Sequence, residues 1–292
     1  MREILSKIAE VDYYVRWYSR QHDRGIWASR QLGGAAEFET ITEYELGDNP
    51  RSINWSATAR TGGHRILKNT RLTEANLAVF LVVDLTPSMD FGTVRTTKRR
   101  LAAEISAVLA HAAWRCGDRV GFIGYGSGVE VEWPLRNARD YRLLIPEKIL
   151  QVRSHGNGES GLGRALVRLP QKRSLVFIVS DFQDDLEELE IALKPVAITH
   201  DVVPLVLWDP RERILPRKRC VTVVKDLETG TTRTVWLGGI RKRTAFQRKA
   251  EAMVGRLKAL FHRLGMDALW ISQETDYVGE LGKFFSLRRR AG

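Results

Sequence analysis

Residues 77–90 read LAVFLVVDLTPSMD: seven apolar residues, an aspartate, then a loop carrying two hydroxyls and a second acid. A continuous apolar run of this length, bounded by loop residues, fits a strand buried on both faces of a helix-covered sheet. Downstream, RVGFIGY (119–125), VEVEW (129–133), SLVFIVS (174–180) and DVVPLVLW (201–208) supply further strands between longer amphipathic stretches. An Ala-rich segment from about 95 to 115 sets Leu101, Ile105, Leu109 and Ala112 on one face. It has the length of a crossover helix joining the first two strands as a parallel pair. YGSG (125–128) is short enough to make the second and third strands a hairpin, which predicts an antiparallel edge. CVTVVKDLETGTTRTVWL (220–237) alternates about a DLETG turn and reads as an inserted β-hairpin within about 211–240. Phe246, Ala250, Met253, Leu257, Leu260 and Leu264 then define a long helix stopping at Gly265. MDALWIS (266–272) gives a sixth strand, and VGELGKFFSL (278–287) a last helix. The expected class is α/β, a doubly wound, mostly parallel, Rossmann-like sheet over 77–292.

The chemistry concentrates where the first strand ends. Asp84, Thr86 and Ser88 fall at i, i+2 and i+4, so a loop leaving the strand can turn three hard oxygens toward one point, a set that suits Mg²⁺. In a sheet of order 3-2-1-4-5-6 the first and fourth strands are neighbours where the topology reverses, and ligands collect at their carboxyl ends. Asp181 ends the fourth strand, and GESGLGRAL (158–166) offers Ser160 from a third loop. The plainer alternative is that Asp84, Ser88 and Asp181 cap the helices that follow them. GxxxxGK[ST], HExxH and GxSxG are absent, as is any clustered Cys/His set, so phosphate cradling, zinc hydrolysis and serine-triad chemistry lose weight.

N-terminal to this unit, Ile4, Ile8, Val11, Val15 and Tyr18 predict a helix over about 2–20. Loops and short strands punctuated by Gly33, Gly34, Gly47, Asp48 and Pro50 then complete an extension over 1–76. The net charge of +11 is unevenly spread, with +1 over 1–76, −1 over 77–210 and +11 over 211–292. A uniformly basic nucleic-acid coat is therefore not encoded. The longest apolar run is far short of the roughly 20 residues of a membrane-spanning helix. Two cysteines outside any CxxC, together with no signal-peptide pattern at MREILSKIAE, lead to an expected cytoplasmic location.

The D-x-[ST]-x-S spacing at 84–88, the Ser/Thr loop and Asp181 after a buried strand resemble the metal-ion-dependent adhesion site (MIDAS) of von Willebrand factor type A domains. More narrowly, EYELGDNPRSINWSATAR (43–60) followed by DLTPSMDFG resembles domain-of-unknown-function family 58 (DUF 58), bacterial proteins with a von Willebrand factor A-like domain. The similarity runs over most of 35–287, including GDRVGFIGYG, the DLETG hairpin, GMDALWIS and LGKFFSLRRR. The resemblance implies a metal site of Asp84, Thr86 and Ser88 in the first loop, Ser160 in the second and Asp181 in the third. Three positions depart from the pattern: Thr86 stands where serine is usual, Ser160 where threonine is usual, and Gly161 where an acid is common in this family. Asp48, Arg51, Trp55 and Arg60 read either as a partner-facing surface or as a structural clasp on the extension.

The leading functional expectation is a non-enzymatic interaction module whose bound Mg²⁺ keeps a position open for a partner's carboxylate. The resemblance implies a MoxR-type AAA+ ATPase as that partner, acting with a client protein in complex assembly or maturation. Asp84 is expected on a surface loop, where its removal spares the fold. One alternative is a haloacid-dehalogenase-like phosphohydrolase with Asp84 as nucleophile, although Thr86 stands where its proton-donating acid belongs. Another is nucleic-acid or peripheral anionic-membrane binding by the basic C-terminal part, against which Arg248, Lys249, Arg256 and Lys258 read more simply as a solvated helix face.

Overall fold

The structure, a computed structural model, describes residues 39–43, 54–60, 66–71, 77–94, 96–152, 161–214, 221–225, 232–236 and 240–291. These fall into two compact units, one within 17–76 and one within 77–292. The helix expected over 2–20 lies outside the described residues.

In the first unit, β1 (Glu39–Glu43) pairs antiparallel with β2 (Leu67–Arg71), placing Ile41 opposite Asn69. Between them in sequence stands α1 (Trp55–Arg60). The Asn54 side chain accepts from the Ala57 N–H at 2.9 Å, so it serves as the helix N-cap. Thr58, buried on α1, accepts from the Leu67 N–H at 3.0 Å and ties the helix to the strand.

The second unit is built on a six-stranded sheet. β3 (Ala78–Asp84) lies between β4 (Arg119–Tyr125) and β6 (Leu175–Ser180), with β5 (Val129–Asn137) outside β4, and β7 (Asp201–Trp208) then β10 (Leu269–Ser272) outside β6. Every pairing is parallel except β4 with β5. Counted from β3, this is the doubly wound 3-2-1-4-5-6 order, with the antiparallel edge that the short YGSG turn imposes. All seven residues of β3 are buried, which explains its unbroken apolar run. Each fully buried Val, Leu or Phe there contributes about 1.5–3 kcal/mol.

Helices cover both faces. Ala102, Ala103, Ala107, Ala110 and Ala113 are buried on α2 (Lys98–Arg115), and their small side chains let it approach the sheet and α3 (Ala138–Gln151) closely. The other face carries α4 (Leu162–Leu166) and α5 (Leu186–Thr199), whose Leu162, Leu166, Leu189 and Leu193 join Val82, Ile123 and Ile178. Leu257, Leu260 and Phe261 of α7 (Ile240–Arg263) complete that core, while Arg248, Lys249, Arg256 and Lys258 lie on its exposed side. Gly265 has φ +69°, its N–H bonds to the His262 carbonyl, and the Met266 N–H reaches back to Phe261. This is a Schellman motif, and it ends α7 at the glycine marked as its stop. Phe285 of α8 (Tyr277–Ala291) packs edge-on against Phe177 at 5.9 Å.

A short helix, α6 (Pro210–Arg213), follows β7, and the inserted hairpin is β8 (Val221–Lys225) with β9 (Thr232–Trp236) as a separate antiparallel pair. Several elements go beyond the sequence expectation: α1 stands in a stretch read as loops and short strands, and α3 and the second half of β5 form against residue preference. α3 contains Pro146, a residue that argues against helix from sequence. β5 runs four residues past Trp133, through Pro134, which an edge strand tolerates because that N–H needs no ladder partner. Among the described residues no helix is long and apolar enough to cross a membrane.

Candidate metal centre

Asp84 is the last residue of β3, opposite Tyr125 on β4. One step back, Val83 pairs with Val179 on β6, so Ser180 arrives beside the Asp84 carboxylate. One carboxylate oxygen accepts from the Thr86 backbone N–H at 2.9 Å and from its hydroxyl at 2.6 Å. The other accepts from the Ser180 hydroxyl at 2.6 Å. The Thr86 and Ser88 hydroxyls lie 3.0 Å apart, so the three residues spaced i, i+2 and i+4 form a continuous chain of oxygens. Asp84 is only 3% exposed, which corrects the expectation of a surface-loop carboxylate: it is a strand residue roofed by its own hydrogen-bond donors. Burial, reinforced by the charge of Asp181, pushes its carboxyl up from 3.8 to about 7 against those hydrogen bonds.

Capping does not account for these residues. The N-cap of α2 is Thr97, whose side chain accepts from the Arg100 N–H, and that of α5 is Asp185, which accepts from the Glu187 N–H. Asp181 instead accepts from the Lys98 ammonium at 2.5 Å. Lys98 is fully buried at the first position of α2 and also pairs with Glu212 of α6. Burial works against the ammonium, but the charges of Asp181 and Glu212 outweigh it and raise its pKa above 10.5. Glu212 is held in turn by a capping box with Asp209, and Asp209 accepts from the Thr93 N–H and hydroxyl at 2.8 and 2.6 Å. The 84–93, 181–183 and 209–212 segments are thereby one bonded rim.

Arg99, the next residue on α2, braces the opposite side. Its guanidinium bonds Asp90 at 2.6 and 3.1 Å and the carbonyls of Leu85, Thr86 and Val152 at 3.0, 3.2 and 3.1 Å. It therefore fastens the 84–90 loop to the C-terminal end of α3. Ser160 itself lies outside the described residues. Its neighbour Gly161 donates to the Gly126 carbonyl at 2.7 Å, and a Cβ there would meet that oxygen at 2.5 Å and the Gly128 nitrogen at 2.8 Å. This close approach explains why no acid stands at 161. Gly161→Ala is expected to lower the melting temperature by several degrees, a cost of about 1–3 kcal/mol as in other overpacked sites. An unchanged melting curve would show that the 126–128 turn yields freely.

The hydroxyl of fully buried Tyr125 lies beside Ser180. Burial first, and then the charges of Asp84 and Asp184, hold its pKa well above 10. Lys98, Arg99, Ser180, Tyr125 and Glu212 are rim residues that the sequence did not single out. Of the extension residues, Trp55 opens α1 and is 69% exposed, Arg60 ends it and is exposed, and Asp48 and Arg51 lie outside the described residues. Among the described residues no group of three or more His, Cys, Asp or Glu side chains is placed to hold a metal, so a cation here would depend on hydroxyls. The Asp84, Thr86 and Ser88 oxygens are hard donors of the kind that suits Mg²⁺.

The chain is similar to the uncharacterized protein Rv1480 of Mycobacterium tuberculosis, with 27% identity over 251 residues, covering 85% of this chain and 78% of that one. The uncharacterized protein Mb1516 of Mycobacterium bovis matches equally. Among solved structures, an aerotolerance-related membrane protein from Bacteroides fragilis aligns with a TM-score of 0.46 at 15% identity, over 73% of this chain and 100% of that one. A von Willebrand factor type A protein from Catenulispora acidiphila aligns with a TM-score of 0.41 at 15% identity, over 76% of this chain and 43% of that one. Residues 40–254 match the model of the family described as protein of unknown function DUF58, and the chain belongs to that family.

Proposed function

We propose that the protein is a non-enzymatic interaction module that engages a MoxR-type AAA+ ATPase through a divalent cation at this rim, in the assembly or maturation of a client protein. The observation that carries this reading is the chain of hard oxygens from Asp84 through Thr86 to Ser88 at the carboxyl end of the central strand. Asp84, Thr86 and Ser88 would hold Mg²⁺, Asp181 and Ser160 would stand around it, and the ion would supply a Lewis-acidic position for a partner's carboxylate. The surroundings favour binding over turnover. Lys98, the one amine at the rim among the described residues, is held as an ammonium by two carboxylates and offers no base. Both oxygens of Asp84 accept hydrogen bonds, and the position two residues on is a threonine, so the phosphohydrolase reading lacks a free nucleophile and a proton donor. The basic residues Arg248, Lys249, Arg256 and Lys258 of α7 lie along a solvated face, the simpler reading of their charge.

The test is affinity capture from the source cells in Mg²⁺ or in chelator, with wild type and Asp84→Asn as baits. Asparagine is preferred to alanine because it keeps an acceptor for the buried Thr86 donors. The ATPase is expected with wild type in Mg²⁺ only, at least tenfold above the other samples. The same partners in all four samples would remove the metal-bridged contact, and phosphatase activity lost in Asp84→Asn would favour the enzyme.

A further inference from the structure

We propose that Lys98 is a resident cation of this rim, and that by occupying Asp181 and Glu212 it sets how weakly a divalent ion binds beside Asp84. The inference rests on the metal-binding reading above and concerns which residue tunes that site.

A lysine at this position is unfavourable twice over. Its ammonium is excluded from water, and it belongs to the first turn of α2, where the helix dipole disfavours positive charge. It is nevertheless fixed at both ends. The Lys98 backbone N–H bonds to the Phe91 carbonyl at 3.0 Å, and the ammonium bonds Asp181 from β6 and Glu212 from α6. Glu212 cannot turn away, because its second oxygen accepts from the Asp209 N–H at 2.8 Å and Gln183 donates to the first at 2.8 Å. Two carboxylates, Asp181 and Glu212, thus share one buried ammonium, and Asp84 feels the charge of the first of them. A dication thus meets carboxylates whose charge the ammonium has already partly neutralised. It must also approach a fixed positive charge and compete for Asp181, whose nearest counter-ion is already in place. The rim is therefore held together without a metal, and its cation affinity is set by a side chain outside the D-x-T-x-S motif.

The proposal predicts opposite shifts from two single substitutions in the full chain, read by calorimetric titration with Mg²⁺ and Mn²⁺. Lys98→Met keeps the buried stem, removes the charge and frees Asp181, and is expected to bind at least tenfold more tightly than wild type. Glu212→Gln keeps the cap to Asp209, removes one negative charge and leaves the ammonium to Asp181 alone, and is expected to bind at least threefold more weakly. A purely structural lysine would lower the melting temperature without moving the dissociation constant. Lys98→Met removes a buried charge and could unfold the chain; Glu212 is partly exposed and its variant retains the helix cap, so it carries the test in that event. Equal dissociation constants in all folded proteins would overturn this inference and leave the metal site standing. No heat of binding in any of them at millimolar cation would overturn both.

Discussion

Arg99→Met is expected to lower the stability of the 77–292 unit by about 3 kcal/mol, or roughly 10 °C in melting temperature. Arg99 is 2% exposed, and its planar group spans the Asp90 carboxylate, the Leu85 and Thr86 carbonyls, and Val152. Methionine fills the channel of the alkyl stem but leaves those carbonyls without the donor that now satisfies them. Asp90 is half-buried, so water recovers part of its lost pairing, which is why the figure lies at the low end for a broken buried ion pair. Arg99→Lys should recover less than half of the loss, since an ammonium reaches Asp90 but cannot fork to carbonyls in two loops. Calorimetric melting of the three proteins measures both effects. A Met variant within 2 °C of wild type would mean that the two loops are held by other contacts.

The fold was legible because its strands are bounded by abrupt changes of residue type. LAVFLVV, SLVFIVS and DVVPLVLW are apolar on both faces, and only a sheet covered by helices on both sides makes such runs cheap to bury. Asp84, Thr86 and Ser88 were legible for the same reason, as the first polar residues after the central strand, and the topology then carried Asp181 to the same end. Lys98 and Arg99 were not. In TTKRRLAAE they look like the solvated first turn of a helix, and what buries them is the placement of that turn against the ends of β3 and β6, a relation between segments distant in sequence. Ser180 and Tyr125 were hidden as last residues of apolar strands, and Glu212 inside a basic RER. The caps were legible in type but not in position. Thr97 and Asp185 cap α2 and α5 because the chain runs on past Asp84 and Asp181 before those two helices begin.

In chelator, Asp84→Asn is expected to be more stable than wild type at pH 8, with the difference shrinking toward zero near pH 4. Asp84 titrates near 3.8 when unfolded and near 7 when folded, because burial and the nearby Asp181 charge oppose its ionisation. Between those values the folded chain holds a proton that the unfolded chain has released. Linkage then requires this group's contribution to fall as pH rises from about 4 to about 7, at about 1.4 kcal/mol per unit, and to level off above. Asparagine carries no charge and keeps an acceptor for Thr86, so it is spared that loss of a few kcal/mol. Mg²⁺ should reverse the order, because a bound cation favours the ionised carboxylate and stabilises only the protein that can present one. Urea unfolding at pH 4, 6 and 8, with chelator and with Mg²⁺, separates these terms, since titrating groups not coupled to Asp84 cancel in the difference between the two proteins. A difference that stays constant with pH would mean that Asp84 is ionised throughout. Water or an ammonium would then have to reach it, and the closed shell of Thr86 and Ser180 around its carboxylate would not be the state in solution.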